Sequence, residues 1–446
     1  MAPTLTERVR ASVYYPAITH PVIRRLLPGL ATSALGDGMS AVAIAWLALK
    51  LASGSSRGLW VGAAVAAYSL PGAAGAVMLR RWLRGRAGTR LAFANAVLRT
   101  VALGLVGALA LARVLDPLGY VVLLGVSSVL SAWGTAGKYT LIADLLPAEQ
   151  RVAGNTVFGL SDQVSLMIGP ALAGVLTALT GPAVVIAADA ASWAILAVSY
   201  ARVTPLVNRI SPPGGAGAGA GGGGGGAAVE SAVGEKPVRT SAWALIRSTP
   251  VLPGLLAMSF FFYLLYGPVE VALPVHVADD LHGSAALLGI FWAVFGVGAI
   301  FGELAAPFLR RLPVGPTMTA IVLGWGLALV PLGFDLPLGV VLGAFFAGAL
   351  IWGPWTSLSM AVFQEAAPPD ALAQVLAARG SLLILASPLG TALGGPLVAA
   401  AGARGTLLVS ALGTIALGLI VAAILALVRR RRTLAGAVKA GQIVNG

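Results

Sequence analysis

Runs of apolar residues bounded by charge, proline or glycine recur along the chain at about 27–49, 58–79, 91–112, 118–142, 153–176 and 182–203. They resume at about 251–275, 284–306, 314–332, 337–361, 376–400 and 404–428. Each is close to the roughly 20 residues that an α-helix needs to cross a bilayer core about 30 Å thick. The pattern predicts an all-α polytopic membrane protein, with twelve transmembrane helices in two six-helix bundles. A polar tail (1–26) precedes the first bundle (27–203), a polar interval (204–247) separates it from the second (248–428), and a basic tail (429–446) follows.

The interval contains Gly214 to Gly226, a tract made only of glycine and alanine, which cannot fold. A flexible chain of about 44 residues has an end-to-end distance of roughly 35–40 Å, enough to join two bundles without dictating their arrangement. A phosphate-binding loop is disfavoured, because no strand flanks the tract and no Lys-Ser/Thr follows it. The two sets of spans resemble each other. Leu27-Pro28-Gly29-Leu30 matches Leu252-Pro253-Gly254-Leu255, while Pro147, Gly169, Gly174 and Gly181 match Pro368, Gly390, Gly395 and Gly402 at one register. Repeats of six spans are the architecture of alternating-access transporters, whose substrate site lies between the halves.

Composition agrees: 58% of residues are hydrophobic, 10% are charged and the mean hydropathy is +0.90, which no soluble core uses. The net charge of +13 raises the question of nucleic acid, and the placement of the bases answers it. With the N-terminus inside, 24 of the 29 Lys and Arg fall on the inner side, 4 on the outer, and Arg99 lies within a span. This asymmetry places both termini in the cytoplasm of a bacterial-type plasma membrane, with the bases facing anionic lipid. No nucleic-acid partner is needed, and a monomer is expected. Zero cysteines and three scattered histidines exclude disulfides and thiolate or histidine metal cages, and no catalytic constellation is present. The expectation is therefore a non-enzyme without cofactor or metal.

Ionisable residues inside a bilayer are costly and mark partners or water-filled paths. Asp37, about 15 Å deep at 1.5 Å per residue, is the leading proton-coupling candidate, with no cation beside it in sequence. Glu270 is the second; Tyr266-Gly267-Pro268 and Pro274 around it predict a broken helix. A structural carboxylate, or an outer-end glutamate reaching water, are the plainer readings. Asp162, Asp189 and Arg99 are weaker: Arg99 can snorkel to the inner face and Asp189 can pair locally. Phe262, Tyr263, Tyr266, Trp352 and Trp355 are candidates for a substrate cavity suited to an apolar or amphipathic organic molecule, with lipid-facing rings as the competing reading.

The two-by-six arrangement with a basic loop after the second span resembles the major facilitator superfamily. That family's loop motif, G-x-L-A-D-R-x-G-R-R, is matched in part by Gly75 to Arg84, with Gly75, Arg80, Arg81 and Arg84 in place and the aspartate missing. Its repeat, Gly302 to Arg311, keeps Gly302, Arg310 and Arg311, again without the aspartate. The resemblance implies a cytoplasmic gate at these residues, with Glu303 as the nearest acid. Gly169-Pro170 and Gly174 resemble the antiporter motif G-P-x-x-G-G. Together with Leu35-Gly36-Asp37 and Leu146 to Arg151, the stretch resembles proton-driven exporters of the siderophore and macrolide efflux branch. The resemblance implies an antiporter that exchanges protons for a small organic molecule, powered by the proton gradient. An importer or uniporter of the same fold, or a non-transporting sensor or lipid-handling protein, is the alternative.

Overall fold

The computed structural model describes residues 15–83, 86–210, 246–247, 251–309, 311–366 and 372–444. The first half comprises α1 (Pro21–Leu51), α2 (Arg57–Met78), α3 (Gly88–Leu111), α4 (Pro117–Ile142), α5 (Ala148–Thr180) and α6 (Pro182–Ile210). The second comprises α7 (Leu252–Val275), α8 (Ala285–Leu309), α9 (Val314–Gly333), α10 (Leu338–Phe363), and a long helix, Leu372–Val444, that parts at Gly402 into α11 (372–401) and α12 (403–444). Ten helices among the described residues are long and apolar enough to cross a membrane, against the twelve expected. The difference lies in the α11–α12 pair, taken as one rod, and in α5, whose apolar part is Ile168–Thr180.

Local chemistry sets the helix ends. Asp116 caps α4, its carboxylate accepting the backbone N–H groups of Leu118 and Gly119 at 3.1 Å. Gly181 (φ 90°) and Gly402 (φ 72°) close α5 and α11 in the left-handed region, where a Cβ is disfavoured. These two glycines occupy equivalent positions of the repeat, so the sequence match reflects a shared turn. Helix α6 runs to Ile210, into the interval expected to be linker; the glycine tract lies outside the described residues.

Proline inside a buried helix frees the carbonyl four residues earlier, which must find another partner. Three such carbonyls meet a neighbouring helix. Ser128 of α4 donates its hydroxyl to Ala67, freed by Pro71, at 2.9 Å. Gly390 of α11 lies so close to Leu264, freed by Pro268, that a Cβ there would fall 2.0 Å from the oxygen. Gly302 of α8 stands against Leu350, freed by Pro354, in the same way, at 2.1 Å. Because Pro268 is accommodated so closely, α7 is one unbroken helix through Val275; the break expected around Glu270 is absent, and a π-helical turn over His276–Asp280 follows.

The halves meet through glycine. Gly174 of α5 packs on Gly289 of α8, and Gly62 of α2 on Gly395 of α11. Arg57, at the start of α2, forms an ion pair with Asp279 beyond the end of α7. All these contacts lie near the helix ends remote from the 80–90 loop and the interval between the halves, so the halves are clamped together at one end.

Candidate functional site

In the first half, four helices bring their polar residues to one point. Arg99 of α3 donates from Nη1 to Asp37 of α1 at 2.5 Å and to the Tyr68 hydroxyl of α2 at 2.9 Å. Tyr68 donates to the same Asp37 oxygen at 2.7 Å, and the Trp193 indole of α6 reaches it at 3.3 Å. The Arg99 guanidinium lies over the Tyr68 ring at 4.9 Å and the Trp193 ring at 4.6 Å. The Arg99 side chain is 9% exposed, whereas Asp37 is 39% exposed, so the acid faces open space and the cation stands behind it.

Two expectations are thereby corrected. Asp37 has a fixed cation beside it, contributed from a helix 62 residues away. Arg99 does not snorkel to the inner face, because a carboxylate and two ring faces hold it at depth. Tyr68 and Trp193 carry no local signal in the sequence, because they meet the intramembrane Arg from other spans. Asp189 pairs locally only in part. It is fully buried, and its carboxylate accepts the hydroxyl of Ser40 on α1 as well as lying near Ser192 one turn along α6.

In the second half, Glu270 is half-buried and lies 3.0 Å from the Thr391 hydroxyl of α11, whose single hydrogen is shared with the Ser387 carbonyl, also at 3.0 Å. Nearby, Tyr266 stacks on Trp352 at 6.5 Å and meets Trp325 at 6.0 Å, while Phe295 joins Trp352 at 5.3 Å and Trp325 at 5.8 Å. Of the candidate cavity residues, Tyr263, Tyr266 and Trp352 keep partly exposed faces. Phe262 and Trp355 do not: they are 1% and 0% exposed and pack on each other at 4.6 Å, so both are core in this conformation. Arg379, one of the 24 bases assigned to the inner side, is also buried, stacked over Phe363 and bonded to Ser359 at 3.0 Å.

The motif glycines are packing residues. Gly75 abuts the Val129 carbonyl of α4, and its own carbonyl accepts the Trp133 indole at 2.9 Å; Gly302 makes the corresponding approach of α8 to α10. Glu303 accepts the Ser357 hydroxyl. Arg81 lies 5.6 Å over the Trp82 ring and Arg311 is exposed, while Arg84, Arg310 and the Arg80 side chain fall outside the described residues. In the antiporter-like stretch, Gly169 packs on the Gly38 backbone of α1, Pro170 is buried, and Gly174 forms the crossing to the other half. No group of three metal-ligating residues occurs among the described residues.

Comparison with known proteins agrees with this architecture. The multidrug efflux pump Tap of Mycolicibacterium fortuitum is 27% identical over 404 residues, covering 87% of this chain and 92% of that protein. The pump of the same name from Mycobacterium tuberculosis (strain ATCC 25618 / H37Rv) is 28% identical over 407 residues, covering 87% and 90%. A bacterial homologue of the human lysosomal transporter Spinster superposes with a TM-score of 0.66 at 12% identity, over 91% of this chain and 96% of that one. A bacterial homologue of the iron transporter ferroportin gives 0.64 at 15%, over 90% and 97%. At these identities the two structures speak to the fold alone. The family model described as Major Facilitator Superfamily matches residues 26–382, most of the chain, and with the two-half helical architecture it shows that the protein belongs to the Major Facilitator Superfamily and is a transporter of that fold.

Proposed function

We propose that the chain is a proton-coupled exporter of a small apolar or amphipathic organic molecule, working by alternating access in a bacterial-type cytoplasmic membrane. The observation that carries the coupling is the half-exposed acid at mid-span, Asp37, ion-paired to Arg99 and tied into four helices. A charge there is costly to keep in hydrocarbon, and its pairing can differ between the two states of a rocking bundle. Export as the direction is supported by the names of the curated relatives, both multidrug efflux pumps. The partly exposed rings of Tyr263, Tyr266 and Trp352 would offer contact area that suits varied cargo, because ring faces make few demands for exact hydrogen bonds. Glu270 with Thr391 would serve as the corresponding acid of the second half.

In this reading the linker end and both termini are cytoplasmic, and the clamped end, at Arg57 and Asp279, faces out. The conformation is then the inward-facing one. The protein acts as a monomer and takes its energy from the proton gradient, without a cofactor. The test is proteoliposomes of the full chain with an internal pH dye, to which ethidium, tetracycline and a neutral dye are added in turn. Cargo-dependent alkalinisation or acidification supports coupling; cargo movement without any proton movement supports a uniporter instead.

A further inference from the structure

The polar cluster of the first half contains two acids and one cation: Asp37, Asp189 and Arg99. The donors around them are not shared evenly. Arg99, Tyr68 and Trp193 all aim at one oxygen of Asp37, which suits an acceptor-only carboxylate. Asp189, 0% exposed, has no cation bonded to it among the described residues. Its Oδ2 accepts the Ser40 hydroxyl. Its Oδ1 lies 3.3 Å from the Ser192 Oγ, but Ser192 has a single hydroxyl hydrogen, and the backbone carbonyl of Asp189 lies nearer, at 2.7 Å. With that hydrogen committed, the contact between Oδ1 and Oγ is a hydrogen bond only if Oδ1 carries a proton and Ser192 accepts it.

Gly36, the residue before Asp37, provides the space. A Cβ at Gly36 would fall 2.3 Å from the Asp189 Oδ1 and 2.4 Å from the Ser192 Oγ. The Leu35-Gly36-Asp37 stretch therefore does two things at once: Asp37 faces the open space, and the adjacent glycine lets α1 close over the Asp189–Ser192 pair. Around Asp189, the titratable and charged groups among the described residues are Asp37 on α1, Arg99 on α3 and Tyr68 on α2. One proton in this set leaves it neutral, which is the cheap state for a cluster buried in the membrane.

We propose that Asp189, rather than Asp37, is the proton-binding site of the first half, its Oδ1–H donating to Ser192 across the gap left by Gly36. Loss of that proton leaves two carboxylates competing for the single Arg99, so the Asp37–Arg99 pair at the cavity edge becomes the readout of the proton on Asp189. This inference deepens the proton-coupled reading and rests on it for its purpose, but its test needs no transport.

The full-length chain in lipid vesicles is examined by infrared difference spectroscopy between about pH 9 and about pH 5, where a protonated side-chain carboxyl gives a C=O band absent from the carboxylate. With Glu270→Gln as the common background, so that the acid assigned to the second half is silent, the parent chain should gain such a band on acidification. Asp189→Asn should remove it, and Asp37→Glu, which keeps a carboxylate on Arg99, should leave it in place. Ser192→Ala retains the acid but deletes the acceptor of its proton, so the band should move to higher frequency. A band that survives Asp189→Asn, a band displaced by Asp37→Glu, or no titrating carboxyl band in the parent chain overturns the assignment. Should Asp189→Asn fail to fold, the Ser192→Ala spectrum decides alone, and an unshifted band refutes the proposal. A confirmed band in a chain that moves no protons with cargo would retire the coupling and leave the site; coupled transport without the band would retire the site alone.

Discussion

Replacing Gly174 by Ala should open the clamped end of the molecule. The Cβ so added would lie 2.6 Å from the Gly289 Cα and 3.0 Å from the Ala285 carbonyl oxygen. Carbon atoms in contact sit about 3.5–4.0 Å apart, so α5 and α8 must separate by about 1 Å. Both obstacles are backbone, and no rotamer change relieves them. Overpacking of this kind costs about 1–3 kcal/mol, and the cost falls only on the state in which these helices touch. The equilibrium between the two facings should then shift roughly 5- to 150-fold toward the state open at the Arg57 end. The chain has no cysteine, so nitroxide labels can be placed cleanly on cysteines at Ser53 and Ser284, and separately at Arg86 and Arg311, and the distances read by dipolar electron resonance. The Ser53–Ser284 distance should lengthen while the Arg86–Arg311 distance shortens. Gly107→Ala serves as control, because its Cβ would meet Ala187 at 2.9 Å inside the first half; it should lower the melting temperature and leave both distances alone. If Gly174→Ala behaves like this control, the glycine crossing is ordinary packing and the clamp argument fails.

Arg99→Gln should destabilise the chain by up to about 3 kcal/mol, the low end for a broken buried pair because Asp37 is 39% exposed, and Asp37→Asn added to it should recover most of the loss in chemical denaturation. Ser128→Ala leaves the Ala67 carbonyl beside Pro71 without its donor and should cost about 1–3 kcal/mol in the same assay, whereas Ser69→Ala, on the exposed side of α2, should change little. Cysteines at Gly222 and Ser284 should label with impermeant reagent from opposite sides of the membrane, and labelling of both from outside would reverse the proposed orientation.

The spans were legible because a bilayer demands long uncharged stretches, although α6 and α12 run on past their apolar runs, to Ile210 and Val444. The repeat was legible where it encodes a backbone need, as in the left-handed Gly181 and Gly402. Proline was misleading: Pro268 reads as a helix break, yet the approach of Gly390 to the freed carbonyl lets α7 continue. Asp37 stood out as a deep acid, but its partners lie on three other helices, and no spacing rule links Tyr68, Arg99 and Trp193 to it. Phe262 and Trp355 show the converse limit. Their ring chemistry suits a cavity, but which face of a wholly apolar helix turns inward is set by packing against neighbours, and both were turned to the core.

The central claim is that cargo moves against its gradient at the expense of protons through the Asp37–Arg99–Asp189 cluster. Proteoliposomes of the full chain, given an imposed pH gradient and a panel of fluorescent amphipathic dyes, measure this directly. The account predicts accumulation of at least one dye against its own gradient, collapse of that accumulation by a protonophore, and downhill movement only in the Asp189→Asn variant. Dye movement that never runs uphill, or uphill movement that persists unchanged when the pH gradient is abolished, would contradict it.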